Sequence, residues 1–125
     1  MPEQSITAYE DLPFAPMGEG SPAEFAVLWG DPATGPVAIM VRFPQGYTEP
    51  WHHHTANYHA VIVKGDFQTR DKDKGTTTDV YGPGAYVFQP GGGVHSEVNA
   101  GKQGKKDEMV ALVYLDGPLD AVPAK

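Results

Sequence analysis

The chain has 125 residues, 40% of them hydrophobic, with two Trp, five Phe and six Tyr: enough for one buried core and too little for two comfortable domains. A net charge of −7 matches a polyanion such as nucleic acid poorly, and the absence of cysteine excludes disulfides, thiolate ligands and a cysteine nucleophile. The first residues lack a basic start and an apolar run, and no stretch reaches the roughly 18 apolar residues of a membrane span, so a soluble, cytoplasmic protein is expected.

Taken in order, residues 1–20 read as an amino-terminal arm, with Ser5 to Tyr9 a candidate strand for exchange between the subunits of a homodimer. Beyond it, β-branched and aromatic runs at Phe25 to Trp29, Val37 to Phe43, Tyr58 to Val63, Phe67 to Arg70, Thr76 to Tyr81, Ala85 to Gln89, Val94 to Asn99 and Met109 to Leu115 predict strands. Turn residues separate them: Gly30 to Gly35, Pro44 and Gly46, Asp71 to Gly75, and Gly82 to Gly84. No window carries a sustained 3.6-residue apolar period, so the fold class is all-β, a sandwich or barrel in one domain over residues 1–125. Lys102 to Glu108 reads as a mobile polar hairpin tip and residues 118–125 as a mobile tail. Trp29, Trp51, Tyr86, Phe88 and Tyr114 are expected mostly in the core, where aromatic side chains usually lie.

The stretch Gly46 to Gly65 holds four of the five histidines within eight positions. On an extended strand His52 and His54 share a face and His53 points away. His95 lies forty-one residues after His54 and offers a third imidazole from a separate strand, which makes a metal site. A tag remnant is the bland alternative, and the mid-chain position between Trp51 and Thr55 counts against it. The run Gly91 to Gly93 precedes a strand, not a helix, so a turn of positive φ is expected there rather than a phosphate cradle.

Two spacings resemble the paired motifs of the cupin superfamily. Gly46, His52, His54 and Gly65 fall on the first, glycine-x5-His-x-His-x3 or 4-Glu-x6-glycine, with Tyr58 standing in the glutamate slot when counted back from Gly65. Gly84, Pro90, Gly92, His95 and Asn99 satisfy every position of the second. The runs HHHTANYHAVIVKG and GAYVFQPGGGVHSE are similar to small bacterial single-domain cupins related to the metal-binding domain of ChrR-type anti-sigma factors. The resemblance implies a double-stranded β-helix, or jelly roll, with a divalent metal held by His52, His54 and His95.

The fourth ligand stays open at this level. Gap counting turns Tyr58 inward; a turn one residue longer turns His59 inward, and imidazole is the better donor; a site of His52, His54 and His95 alone, with open positions, is the third option. Glu97, two residues past His95, shares its face on an unbulged strand and is a candidate second-layer partner or general base, with a solvated carboxylate as the bland reading. The expected function is that of a metal-dependent enzyme on a small-molecule substrate: foremost an Fe(II) dioxygenase-like oxidoreductase, alternatively a lyase or isomerase using Zn, Ni or Mn, or a non-catalytic ligand sensor.

Overall fold

The computed structural model describes residues 3–101 and 108–123. Among the described residues eleven strands follow one another: β1 Ala15–Pro16, β2 Glu24–Gly30, β3 Val37–Phe43, β4 His52–His53, β5 Tyr58–Lys64, β6 Phe67–Asp71, β7 Thr76–Thr77, β8 Tyr86–Gln89, β9 His95–Asn99, β10 Met109–Leu115 and β11 Val122–Pro123. They form two antiparallel sheets, in the orders β1-β2-β3-β10-β5-β8 and β11-β4-β9-β6-β7, the jelly-roll arrangement. Among the described residues no helix is long and apolar enough to cross a membrane.

The core lies on the inner face of the six-stranded sheet. Val37, Ile39, Val41 and Phe43 alternate inward along β3, Ala60 and Ile62 along β5, and Met109, Ala111, Val113 and Leu115 along β10. Each large aliphatic or aromatic side chain buried this way contributes about 1.5–3 kcal/mol, so the three central strands anchor the barrel. The five-stranded sheet opposes them with Phe67 and with the polar inner face of β9, where His95, Glu97 and Asn99 are all buried.

Four expectations from the sequence need correction. Ser5 to Tyr9 forms no strand; extended chain leads into a short 3-10 turn at Tyr9–Asp11. The run at Thr76 to Tyr81 keeps only a two-residue strand and an isolated bridge from Tyr81 to Phe67. Trp29, Tyr86, Phe88 and Tyr114 stand exposed on the outside of the six-stranded sheet, because their neighbours Val87, Val113 and Leu115 take the inward positions of the same alternation. Trp51 packs on the other sheet, beneath the Arg70 guanidinium at 4.4 Å. Finally, the supposed tail folds back: Leu119 packs against the core, its N–H donates to Pro32 O at 2.8 Å, and β11 pairs with β4. The expected tip at Lys102 to Glu108 falls outside the described residues except for Glu108, which lies 4.0 Å from Lys64 and 3.9 Å from Arg42.

Candidate metal centre

Three separate segments deliver the site. β4 is short, yet it pairs His52 directly with His95 of β9, which sets the two rings 4.5 Å apart. The glycine run fixes this approach. A side chain on Gly91 would sit 2.3 Å from Thr55 O, and Gly92, at φ 81°, donates its N–H to His54 O at 2.8 Å, so the loop before β9 lies flat on the histidine strand.

The three rings share one hydrogen-bonding scheme. His52 Nδ1 donates to Pro50 O at 2.7 Å, His95 Nδ1 to Gly93 O at 2.8 Å, and His54 Nδ1 to Asp120 O. With Nδ1 engaged by backbone, each ring keeps Nε2 free on the inner side, the tautomer a metal needs. Asp120 holds its place through its carboxylate, which accepts from Thr55 N at 2.9 Å and from Thr55 Oγ1 at 2.5 Å.

The fourth member of the cluster is Glu97. Its Oε1 lies 3.2 Å from His52 Nε2 and 2.9 Å from His95 Nε2. Ligand atoms of His52, His54, His95 and Glu97 lie within 4.8 Å of one another, a spread that an ion with bonds of about 2.0–2.2 Å closes by small side-chain shifts. Although the 2.9 Å separation is that of an ion pair, the angles are not those of a hydrogen bond, and His95 Nε2 and Glu97 Oε1 remain buried polar atoms without a hydrogen-bond partner. Buried polar atoms are seldom left so, and a bound cation would satisfy both. The residues therefore fit a divalent metal, and a donor set of three imidazoles and one carboxylate suits Fe, Zn, Mn or Ni.

Tyr58 and His59 resolve in favour of gap counting. β5 runs in register with β10, Leu115 opposite Tyr58 and Tyr114 opposite His59, and this alternation buries Tyr58 and turns His59 outward. His59 Nδ1 meets Tyr86 Oη at 2.5 Å on the outer surface, so its expected place as a metal ligand is corrected. Tyr58 Oη donates to Glu97 Oε2 at 3.3 Å. Glu97 itself stands among the imidazoles rather than behind them.

Glu49, which the sequence reading passed over, lies beside the cluster with Oε2 3.6 Å from His52 Nδ1 and its backbone N–H bonded to Glu97 O at 2.9 Å. Only its position just before the histidine strand marked it. Burial, followed by the charge of Glu97, pushes its carboxyl up to about 7. Burial works against the charge on His52, but the close approach and attraction of the Glu97 carboxylate, with help from Glu49, raise that imidazole to about 9. His95 is raised for the same reason, and His54, where burial dominates, is lowered. Burial opposes ionisation of Glu97 too, yet the two imidazoles pull its carboxyl far below the usual range. Burial and neighbouring carboxylates push the Tyr58 phenol well up, so it stays protonated.

The centre faces an apolar cavity of about 40 Å³ floored by Ile39, Phe43, Met109 and Leu115, with His54, Tyr58, Glu49 and Glu97 on its polar wall. An outer vestibule of about 330 Å³ adjoins it, lined by Phe25, Pro32 and Ala121, and Met17, His54 and Leu119 border both.

Comparison with known proteins agrees with this architecture. The chain resembles a protein of unknown function with a cupin-like fold from Ralstonia eutropha JMP134, with a TM-score of 0.70 at 22% identity over 97% of this chain and 77% of that one. It also resembles the polyketide cyclase RemF from Streptomyces resistomycificus, with a TM-score of 0.71 at 17% identity over 98% of this chain and 87% of that one. At such identities the likeness concerns the fold. The DNA damage-repair/toleration protein DRT102 of Arabidopsis thaliana is 38% identical over 60 residues, 48% of this chain but 19% of that protein, so the chain spans about a fifth of this relative. The ChrR cupin-like domain matches residues 2–115, nearly the whole length, and the chain belongs to that family of cupins.

Proposed function

We propose that the chain is a metal-dependent enzyme for a small molecule with a short apolar body and an oxygen-bearing head, and that it works by proton transfer, as a lyase or isomerase does. The observation that carries this reading is the place of Glu49: a largely buried carboxyl outside the four-residue cluster, on the wall of the cavity that His54, Tyr58 and Glu97 also line. A carboxylate within reach of a bound substrate, and not itself needed to hold the metal, can take up and return a proton. His52, His54, His95 and Glu97 would hold the metal, which supplies Lewis-acid polarisation of a substrate carbonyl when bound. The apolar floor would take the substrate's body and exclude water, Glu49 would remove a proton from the carbon next to the polarised carbonyl, and Tyr58 would keep Glu97 in orientation. No oxidant is consumed.

A second reading keeps the same ligands for an Fe(II) oxygenase, favoured by the donor set, since three imidazoles and one carboxylate also suit Fe(II). Turnover of a panel of short β-dicarbonyl compounds and keto acids under nitrogen supports proton transfer, whereas turnover that requires Fe and consumes O2 supports the second reading. Tight binding without turnover in either atmosphere would make the protein a ligand sensor.

A further inference from the structure

On the reading that His52, His54, His95 and Glu97 hold a metal and an oxygen-headed ligand, we propose that the outer vestibule is the subsite for an uncharged apolar arm of that ligand. The substrate class is then an oxygen-headed compound with a short inward group and a medium-length alkyl or an aryl arm pointing outward. Volume separates the two chambers. A dry apolar cavity of about 150 Å³ is enough for one benzene ring. The inner cavity, at about 40 Å³, takes only a group of very few atoms, whereas the vestibule, at about 330 Å³, has room for a ring or a chain of comparable bulk. Met17, His54 and Leu119 border both, so a ligand whose head sits at His54 has a continuous way out past the Met17 and Leu119 side chains.

The vestibule walls come from separate parts of the chain and are held by backbone bonds. Met17 N–H donates to Ala23 O at 2.9 Å, Phe25 lies on β2 opposite Val41, and the bond from Leu119 N–H to Pro32 O ties the carboxy-terminal segment to the turn that carries Ala33. Walls fixed in this way give a pocket that is formed before the ligand arrives. Among the described residues that line it, only His54 and Asp120 are ionisable, and both are engaged elsewhere: His54 Nδ1 donates to Asp120 O, and the Asp120 carboxylate accepts from Thr55 N at 2.9 Å and Thr55 Oγ1 at 2.5 Å. Met17, Phe25, Pro32, Ala33, Leu119 and Ala121 present apolar side chains.

That lining decides the kind of arm. An arm ending in a carboxylate would lose hydration beside Asp120, on a chain of net charge −7, with no Lys or Arg among the described lining residues to pair with it. A methylene laid against the same walls gains about fourfold in affinity when fully buried, and about twofold when one side stays open to water. The vestibule therefore selects for length and against negative charge, a discrimination that the oxygen head cannot supply.

Hydroxamates of increasing arm length test this, because one oxygen head binds a divalent metal whatever reaction the protein catalyses. In calorimetric titrations of the zinc-loaded full chain, octanohydroxamate should bind at least about tenfold more tightly than butyrohydroxamate. Suberic acid monohydroxamate, equally long but ending in a carboxylate, should lose at least about tenfold relative to octanohydroxamate. Ala33→Trp and, separately, Ala121→Trp fill the vestibule from exposed positions outside the core. Each should bring octanohydroxamate down to the affinity of butyrohydroxamate, while acetohydroxamate, which has no arm to reach the vestibule, is bound as before. Equal affinity along the series, no loss with the terminal carboxylate, or a gain with length that neither substitution removes overturns the proposal and leaves the metal centre standing. Failure of acetohydroxamate itself to bind overturns both. Turnover is not read, which keeps the result separate from the reaction assigned to the site.

Discussion

Tyr58 and Glu97 come from strands in opposite sheets and meet inside the barrel, the phenol oxygen 3.3 Å from carboxylate Oε2. That contact frees Oε1 to face His52 and His95. Tyr58→Phe keeps the ring that fills the core and removes only the donor. Metal affinity should fall roughly tenfold, at the lower end of the range for losing an orienting partner, with the fold retained. Isothermal titration of EDTA-stripped protein with zinc measures it, and an unchanged affinity would show that Glu97 needs no such support.

The two rival fourth ligands separate cleanly by substitution. Glu97→Gln keeps shape and hydrogen bonding but removes the anion between two imidazoles, and should weaken metal binding by more than about a hundredfold. His59→Ala touches the outer surface, where the ring meets Tyr86, and should leave about one ion per chain. Elemental analysis of protein purified without a histidine tag reads both, and loss of metal in His59→Ala would restore His59 to the ligand set.

Much of this was legible in the sequence because alternation is strict. His52 and His54 share a face and so do His95 and Glu97, since nothing bulges between them. The same rule, applied outward from buried Val113 and Leu115, would have placed Tyr114 on the surface; assigning aromatics to the core by residue type overrode it. Choosing between Tyr58 and His59 needed the register of β5 on β10, a long-range pairing that no local pattern fixes. Asp120 was hidden for a similar reason. A polar residue after Pro118 looks like tail, and only its partners Thr55 and His54, sixty-five and sixty-six residues earlier, make it structural.

Asp120 makes that last point measurable. Its carboxylate ties the carboxy-terminal segment to Thr55, and its carbonyl orients His54. Asp120→Ala should cost about 1 kcal/mol of stability, modest because the two bonds are exposed, and should weaken metal binding severalfold by loosening one ring. Asp120→Asn keeps one carbonyl acceptor and should fall between. Urea unfolding and zinc titration of the two variants provide the comparison; a loss of stability with metal affinity intact would confine Asp120 to holding the chain end.

The raised pKa of His52 makes stability depend on pH in opposite ways with and without metal. In the metal-free protein the imidazole titrates near 9 when folded and near 6.5 when unfolded. The folded state thus binds the proton more tightly, and the stability this gives is fully present below pH 6.5 and lost as pH rises through 9. A shift of that size on a buried group corresponds to about 3 kcal/mol, and His95, raised in the same direction, adds to it. Glu49 acts lower, between its ordinary range and about 7, so the interval from 6.5 to 9 reports on the imidazoles. Metal reverses the sign, because an imidazole must be neutral to ligate and binding must expel the proton shared with Glu97. Metal affinity should therefore keep rising to about pH 9 rather than levelling above 6.5, with proton release at pH 7.5 that a weakly buffered titration detects. Urea midpoints in EDTA that fall from pH 6.5 to 9, set against midpoints that hold or rise in saturating zinc, are the expected pair. Parallel curves would mean that His52 does not carry a proton in the metal-free site.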